Sequence, residues 1–204
     1  MAVIRRIGFL ASGAGSTFEA VVAACHAGDL PLEPVIVIGN NSKAGVFDRA
    51  QRLGIQALHI SAKTTGDAAA ADNAIAAALV DAKIDLVVLA GYLKMLGPAV
   101  LAAFDGRIIN THPALLPKFG GPGMYGMNVH KAVLAAGETT TGVTVHVVDE
   151  EYDHGPVLAQ ATVPVEPDDT IETLAARVQA REKPFLIETL DRLARGELDL
   201  PKNA

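Results

Sequence analysis

Residues 4–28 read IRRIGFLASGAGSTFEAVVAACHAG. The stretch passes from an apolar run, through a glycine loop, into an Ala- and Val-rich run that Gly28 closes. That order predicts a strand over 4–11, a tight turn, and a helix over 17–28 ended by its glycine. Glycines in the loop let backbone N–H groups approach a bound group, and the helix N-terminus favours an anion. A dinucleotide fingerprint would place a third glycine at position 18, where this chain has Phe18, and the P-loop lysine is missing. The loop at 12–17 therefore reads as an anion site of no standard cofactor type, or as a plain strand–helix turn.

The same alternation continues outward. PVIVIGN (34–40), IQALHI (55–60), IDLVVLAG (84–91) and RIINTH (107–112) read as strands. Helices are expected over 44–53, 68–82, 97–104 and 128–136. Near-continuous apolar runs suit strands covered on both faces, and strand–helix alternation argues for a parallel sheet. After a turn expected at Thr139–Thr141, GVTVHVVD (142–149) and PVLAQATVPV (156–165) alternate like an antiparallel pair. One long helix is expected over 170–196, with Pro184 as a candidate bend. The expected fold is α/β: a Rossmann-like, doubly wound, mostly parallel sheet with a C-terminal antiparallel pair and a long C-terminal helix. No linker or repeat divides the 204 residues, so one domain is expected.

Composition excludes several functions. The formal charge of −6, with Arg5–Arg6 the longest basic cluster, gives no footprint for nucleic acid. No run reaches the roughly 18 apolar residues of a membrane span. The N-terminus does not resemble a signal peptide, and the single Cys25 rules out an internal disulfide, so a cytoplasmic protein is expected.

Two polar residues stand out at the end of the strand at 107–112. Asn110 and His112 are two positions apart, so on a strand they share a face. The strand's carboxyl end is where ligands gather in open α/β sheets. Pro113 keeps His112 extended. An imidazole moves protons near neutral pH and an amide can stabilise an oxyanion. Asp153, in the turn YDHGP, is a candidate carboxylate partner. Taken singly, each is as well explained as a satisfied or turn-forming residue. His146, Asp149, Asp153 and His154 match no standard metal spacing, so no metal is expected. Cys25 reads as core; His26, His59 and His130 read as surface residues.

These motifs, with the segments 12–16, 85–96, 109–119, 142–160 and 176–183, resemble the folate-dependent phosphoribosylglycinamide formyltransferase family. The stretch NTHPALLP plus the D-x-G-P turn is a formyltransferase signature, shared by relatives that carry further domains. The resemblance implies formyl transfer from 10-formyltetrahydrofolate to glycinamide ribonucleotide in purine biosynthesis. It implies small-molecule partners, no metal, and a monomer or homodimer. Asn110, His112 and Asp153 match its catalytic trio. Gly13, Ala14, Gly15, Ser16 and Thr17 match the segment that holds the substrate phosphate, and Glu182 matches an acidic residue that contacts its ribose. Leu93, Lys94, Met95 and Leu96 match the wall of the folate pocket, with Asn110 beside it. The half at 1–100 would then bind phosphate, and the half at 101–204 would carry catalysis and folate. Thr17, Lys94 and Ala68 depart from the residues common in the family. Ala68 stands where an Arg usually touches the folate tail, and Lys63 is the nearby cation. A formyltetrahydrofolate hydrolase, an amino-sugar-nucleotide N-formyltransferase and a non-catalytic nucleotide-binding module are the alternatives. The glycine-rich segment 119–126 reads as a loop that shapes or covers the cleft, or as a surface excursion.

Overall fold

A computed structural model describes residues 4–201. One seven-stranded sheet runs through it in the order β3-β2-β1-β4-β5-β6-β7. The strands are β1 (Arg6–Ala11), β2 (Glu33–Gly39), β3 (Gln56–His59), β4 (Leu86–Leu89), β5 (Ile108–His112), β6 (Thr140–Val147) and β7 (Val157–Pro164). β1 to β5 pair in parallel, whereas β5–β6 and β6–β7 are antiparallel. The helices are α1 (Ser16–Ala27), α2 (Val46–Leu53), α3 (Ala62–Thr65), α4 (Ala68–Asp81), α5 (Pro98–Ala103), α6 (Met127–Ala135) and α7 (Ile171–Ala194).

Strand alternation sorts the apolar residues into two cores. Ile7, Phe9, Leu86, Val88, Ile109 and Val145 point to one face, where α1, α2 and α7 add Phe18, Val46, Leu186 and others. Leu10, Val87, Leu89 and Ile108 point to the other, under Ile75 and Leu79 of α4 and Val100 of α5. Because both faces are covered, the central strands carry apolar side chains at successive positions, which is the continuous run seen in the sequence.

The structure departs from the sequence reading in small, local ways. α1 starts at Ser16, one residue early. Thr140 and Thr141 open β6 rather than forming a turn, opposite Pro164 and Val163; β-branched threonines suit a strand once a partner is present. α3 was not anticipated: it spans four residues, too few for apolar periodicity, and rests on a reciprocal cap between Ser61 and Thr64. α7 runs on through Pro184, with Arg181 and Glu188 paired across it at 2.8 Å. No helix among the described residues is long and apolar enough to cross a membrane.

The strand order reverses between β1 and β4. Crevices form at such a switch point, beyond the carboxyl ends of the strands. Here Ser12 joins the two neighbouring loops: its N–H donates to the Gly91 carbonyl at 3.1 Å, and its Oγ accepts from the Leu93 N–H at 2.8 Å.

Candidate active site

The glycine loop makes a strand–helix junction with unsatisfied donors. No protein acceptor serves the backbone N–H of Gly13, Ala14, Gly15, Ser16 or Thr17 among the described residues. The loop is braced from behind. Val46 N–H donates to the Gly13 carbonyl at 3.2 Å, and Arg49 Nε donates to the Ala14 carbonyl at 2.8 Å. Arg49 also pairs with Glu19 in the first turn of α1. Gly15 adopts a left-handed φ of 78°, and a Cβ there would lie 2.6 Å from the Val46 side chain. Only glycine fits this close approach.

Beyond the loop lies a cavity of about 390 Å³. Asn110, His112, Asp153 and Glu182 line it, as does Leu93. No residue of the glycine loop lines it; the loop is tied to its wall by the hydrogen bonds of Ser12 to Gly91 and Leu93. A smaller recess of about 80 Å³ shares Asn110 and Asp153 with the cavity and is lined also by Lys94, Met95, Leu96 and His146. Lys63, Ala68 and Lys94 share the lining of a third hollow of about 480 Å³.

The trio assembles through sheet register. Asn110 and His112 share a face of β5, and antiparallel pairing sets them opposite His146 and Thr144 of β6. His112 is buried, 3 % exposed. Its Nε2 donates to the Phe119 carbonyl at 2.7 Å, since a carbonyl oxygen only accepts. Its Nδ1 lies 3.4 Å from Asp153 Oδ2. Two acceptors on two ring nitrogens suit the imidazolium.

Asp153 sits in the β6–β7 loop with a left-handed φ of 55°, uncommon for a non-glycine residue. The following Gly155 is pressed against the Val147 carbonyl, where a Cβ would lie at 2.0 Å. That contact explains the glycine in the D-x-G-P turn. Burial alone would raise the Asp153 carboxyl. The hydrogen bond and charge of His112, with the Gly121 N–H at 3.0 Å, outweigh burial and hold it below the usual carboxylate range.

The sequence offers His146 only as a metal ligand; the structure gives it another place. It is buried, and its Nδ1–H donates to the Val147 carbonyl at 2.9 Å. Its Nε2 is then the acceptor for Asn110 Nδ2 at 3.2 Å. Burial pushes the imidazole below its ordinary pKa, which keeps Nε2 unprotonated. The Asn110 amide is thereby oriented, with one N–H spent on His146 and the other free.

The turn after His112 is pinned to the antiparallel strands. Thr144 Oγ1 donates to the Ala114 carbonyl at 2.6 Å and accepts from Leu116 N–H at 3.0 Å. Gln160 Nε2 donates to the Leu116 carbonyl at 2.9 Å. Segment 119–126 is no remote excursion: Gly121 to Gly126 line the cavity. His130, read from the sequence as a surface residue, is 2 % exposed and lines the cavity too. Glu182 enters from α7, its carboxyl raised by burial against the lowering pull of Lys183 and His112.

An amide, an imidazole and a carboxylate thus converge at the carboxyl end of β5 in an open α/β sheet. The chain belongs to the formyl transferase family, whose model, described as "Formyl transferase", matches residues 5–190. It is 36 % identical over 200 residues to the phosphoribosylglycinamide formyltransferase of Haemophilus influenzae, covering 98 % of this chain and 92 % of that one. It is 38 % identical over 189 residues to the chloroplastic phosphoribosylglycinamide formyltransferase of Vigna unguiculata, covering 93 % of this chain but 61 % of that longer protein. The crystal structure of glycinamide ribonucleotide transformylase 1 from Symbiobacterium toebii superposes with a TM-score of 0.89 at 36 % identity, covering 98 % of this chain and 92 % of that one.

Proposed function

We propose that this chain transfers the formyl group of 10-formyltetrahydrofolate to the amine of glycinamide ribonucleotide. The observation that carries the reading is the convergence of Asn110, His112 and Asp153 on one cavity wall, in a chain of this family. In this reading, the free N–H groups of Gly13 to Thr17 take the substrate phosphate, and Glu182 holds its ribose. The folate lies along Leu93, Lys94, Met95 and Leu96, with its pterin in the recess beside Asn110. Lys63 and Lys94 face the carboxylates of its tail in place of the arginine that Ala68 lacks.

The amine attacks the formyl carbon, and negative charge gathers on the formyl oxygen. The free Asn110 N–H and His112 Nδ1–H stabilise it. At 3.4 Å from the carboxylate, that Nδ1–H is held loosely enough to be shared with the oxyanion. Asp153 stays ionised throughout and compensates the imidazolium. Holding both substrates in one cleft supplies much of the remaining rate.

Purified protein is given 10-formyltetrahydrofolate with and without glycinamide ribonucleotide. Loss of the formyl group only when the ribonucleotide is present supports the reading. Formate release without it would make the chain a hydrolase and sink transfer, and loss of the formyl group only to an amino-sugar nucleotide would move the acceptor.

A further inference from the structure

The mechanism above leaves one buried titratable group of the cavity without a task. His130 lies in the first turns of α6 and lines the cavity shared by His112, Asp153 and Glu182. It is 2 % exposed, yet Nδ1 has no hydrogen-bond partner and neither ring nitrogen makes a hydrogen bond among the described residues. A buried polar atom left unpaired is costly, and native folds retain few of them. The other buried cavity histidine, His112, and the neighbouring His146 are both held by named partners. Of these three histidines, only His130 keeps its ring nitrogens unpaired among the described residues.

The reaction needs a free lone pair. The attacking amine starts with two N–H bonds and ends as a formamide with one. Each turnover therefore removes a proton from the acceptor nitrogen and delivers one to the departing folate nitrogen. His112 faces two acceptors, Asn110 offers donors, and the Asp153 carboxylate is already engaged by His112 and the Gly121 N–H, so the trio is equipped to stabilise the oxyanion rather than to receive the amine's proton.

We propose that His130 is a further catalytic residue that accepts the proton of the incoming amine, an assignment that rests on the formyl-transfer reading. The amine lone pair forms the new C–N bond while the carbonyl π pair moves onto oxygen. The N–H proton passes to His130, which becomes an imidazolium. On collapse the oxygen pair re-forms the carbonyl, the bond from carbon to the folate nitrogen breaks, and that nitrogen takes the proton back from His130 directly or through a water. No oxidant, reductant or metal enters the balance. Burial, and secondarily the charge of His112, hold the imidazole of His130 below its ordinary value, so it begins the cycle neutral.

The test is steady-state kinetics on wild type, His130→Gln and His130→Ala with both substrates, alongside thermal melts and added imidazole. Glutamine keeps a polar group near the ring position but cannot carry a proton. Both variants should lose about a hundredfold in kcat, the scale of a general base, with KM for the formyl donor close to wild type. Imidazole should restore part of the His130→Ala rate in a concentration-dependent way. A His130→Gln enzyme within threefold of wild type overturns the proposal, as does a folded His130→Ala enzyme that imidazole leaves unchanged. Should the alanine variant not fold, the glutamine variant decides alone. A wild type without ribonucleotide-dependent transfer defeats the functional reading, not the assignment of His130 within it.

Discussion

The two halves of the sheet present polar groups by different means. On the parallel side, between β1 and β4, the donors are backbone N–H groups of one short loop, positioned by residues next to them in the chain. On the antiparallel side the polar groups facing the cleft are side chains from β5, β6, the β6–β7 loop, α6 and α7. Sequence neighbours do not bring these together; pairing register does. The first arrangement suits holding a charge that does not change, and the second suits stabilising charge that appears and disappears during reaction.

Breaking each side should therefore give different kinetic signatures. The largest effect is expected on the antiparallel side. His112→Ala should cut kcat by about a hundredfold or more, the scale of losing one oxyanion donor, with KM for the ribonucleotide little changed. Steady-state kinetics with both substrates varied checks it, and unchanged turnover would remove His112 from the chemistry.

A smaller effect is expected on the parallel side. Gly15→Ala forces a left-handed backbone that costs about 1–2 kcal/mol and pushes a Cβ onto Val46. The loop should shift, raising KM for the ribonucleotide roughly tenfold, equivalent to ~1.4 kcal/mol, while kcat stays near wild type. A fall in kcat with unchanged KM would erase the division of labour between the two halves.

The smallest effect is a pH dependence of stability seated on the antiparallel side. His146 and His130 are both held below the ordinary imidazole value, with burial the leading cause. A histidine depressed in the fold binds its proton more readily when unfolded, so stability is full above about pH 6.5 and falls as pH drops below it. Asp153 is depressed from the carboxylate range, so its contribution is lost only at lower pH, below about 4. Exposed His154, raised by Asp149, works in the opposite sense but is screened by solvent. Urea midpoints measured between about pH 7.5 and 5.5, roughly one pH unit either side of the free imidazole, should fall on acidification and fall less in His146→Gln. A flat wild-type profile would contradict the burial argument.

The difference between the halves also decides what could be read in advance. The parallel half was legible because its signals are local: apolar runs, glycines at loop positions, and Gly28 and Gly54 closing helices. Asn110 and His112 were legible as a pair because the strand period puts them on one face. Asp153 is a candidate from its turn alone, but only the formyltransferase signature joins it to the pair, since nothing in YDHGP states which strand it will meet. The role of His146 in orienting Asn110 depends on the pairing of β5 with β6, and a one-residue slip would have undone it. His130 looked like a surface residue because α6 is short and its covering comes from the cavity walls and α7. α3 escaped because four residues carry no period.

The contacts of segment 119–126 have one further consequence. Phe119 gives its carbonyl to His112, and Gly121 gives its N–H to Asp153. His112 and Asp153 are thus both spliced into the backbone at fixed points, two residues apart. Insertions and deletions in this segment are tolerable only downstream of Gly121, where the chain turns through Gly123 and Gly126 before α6 begins. Upstream, a single added residue would pull the acceptor from one partner and the donor from the other together, so the trio acts as a ruler for the length of the chain that follows it.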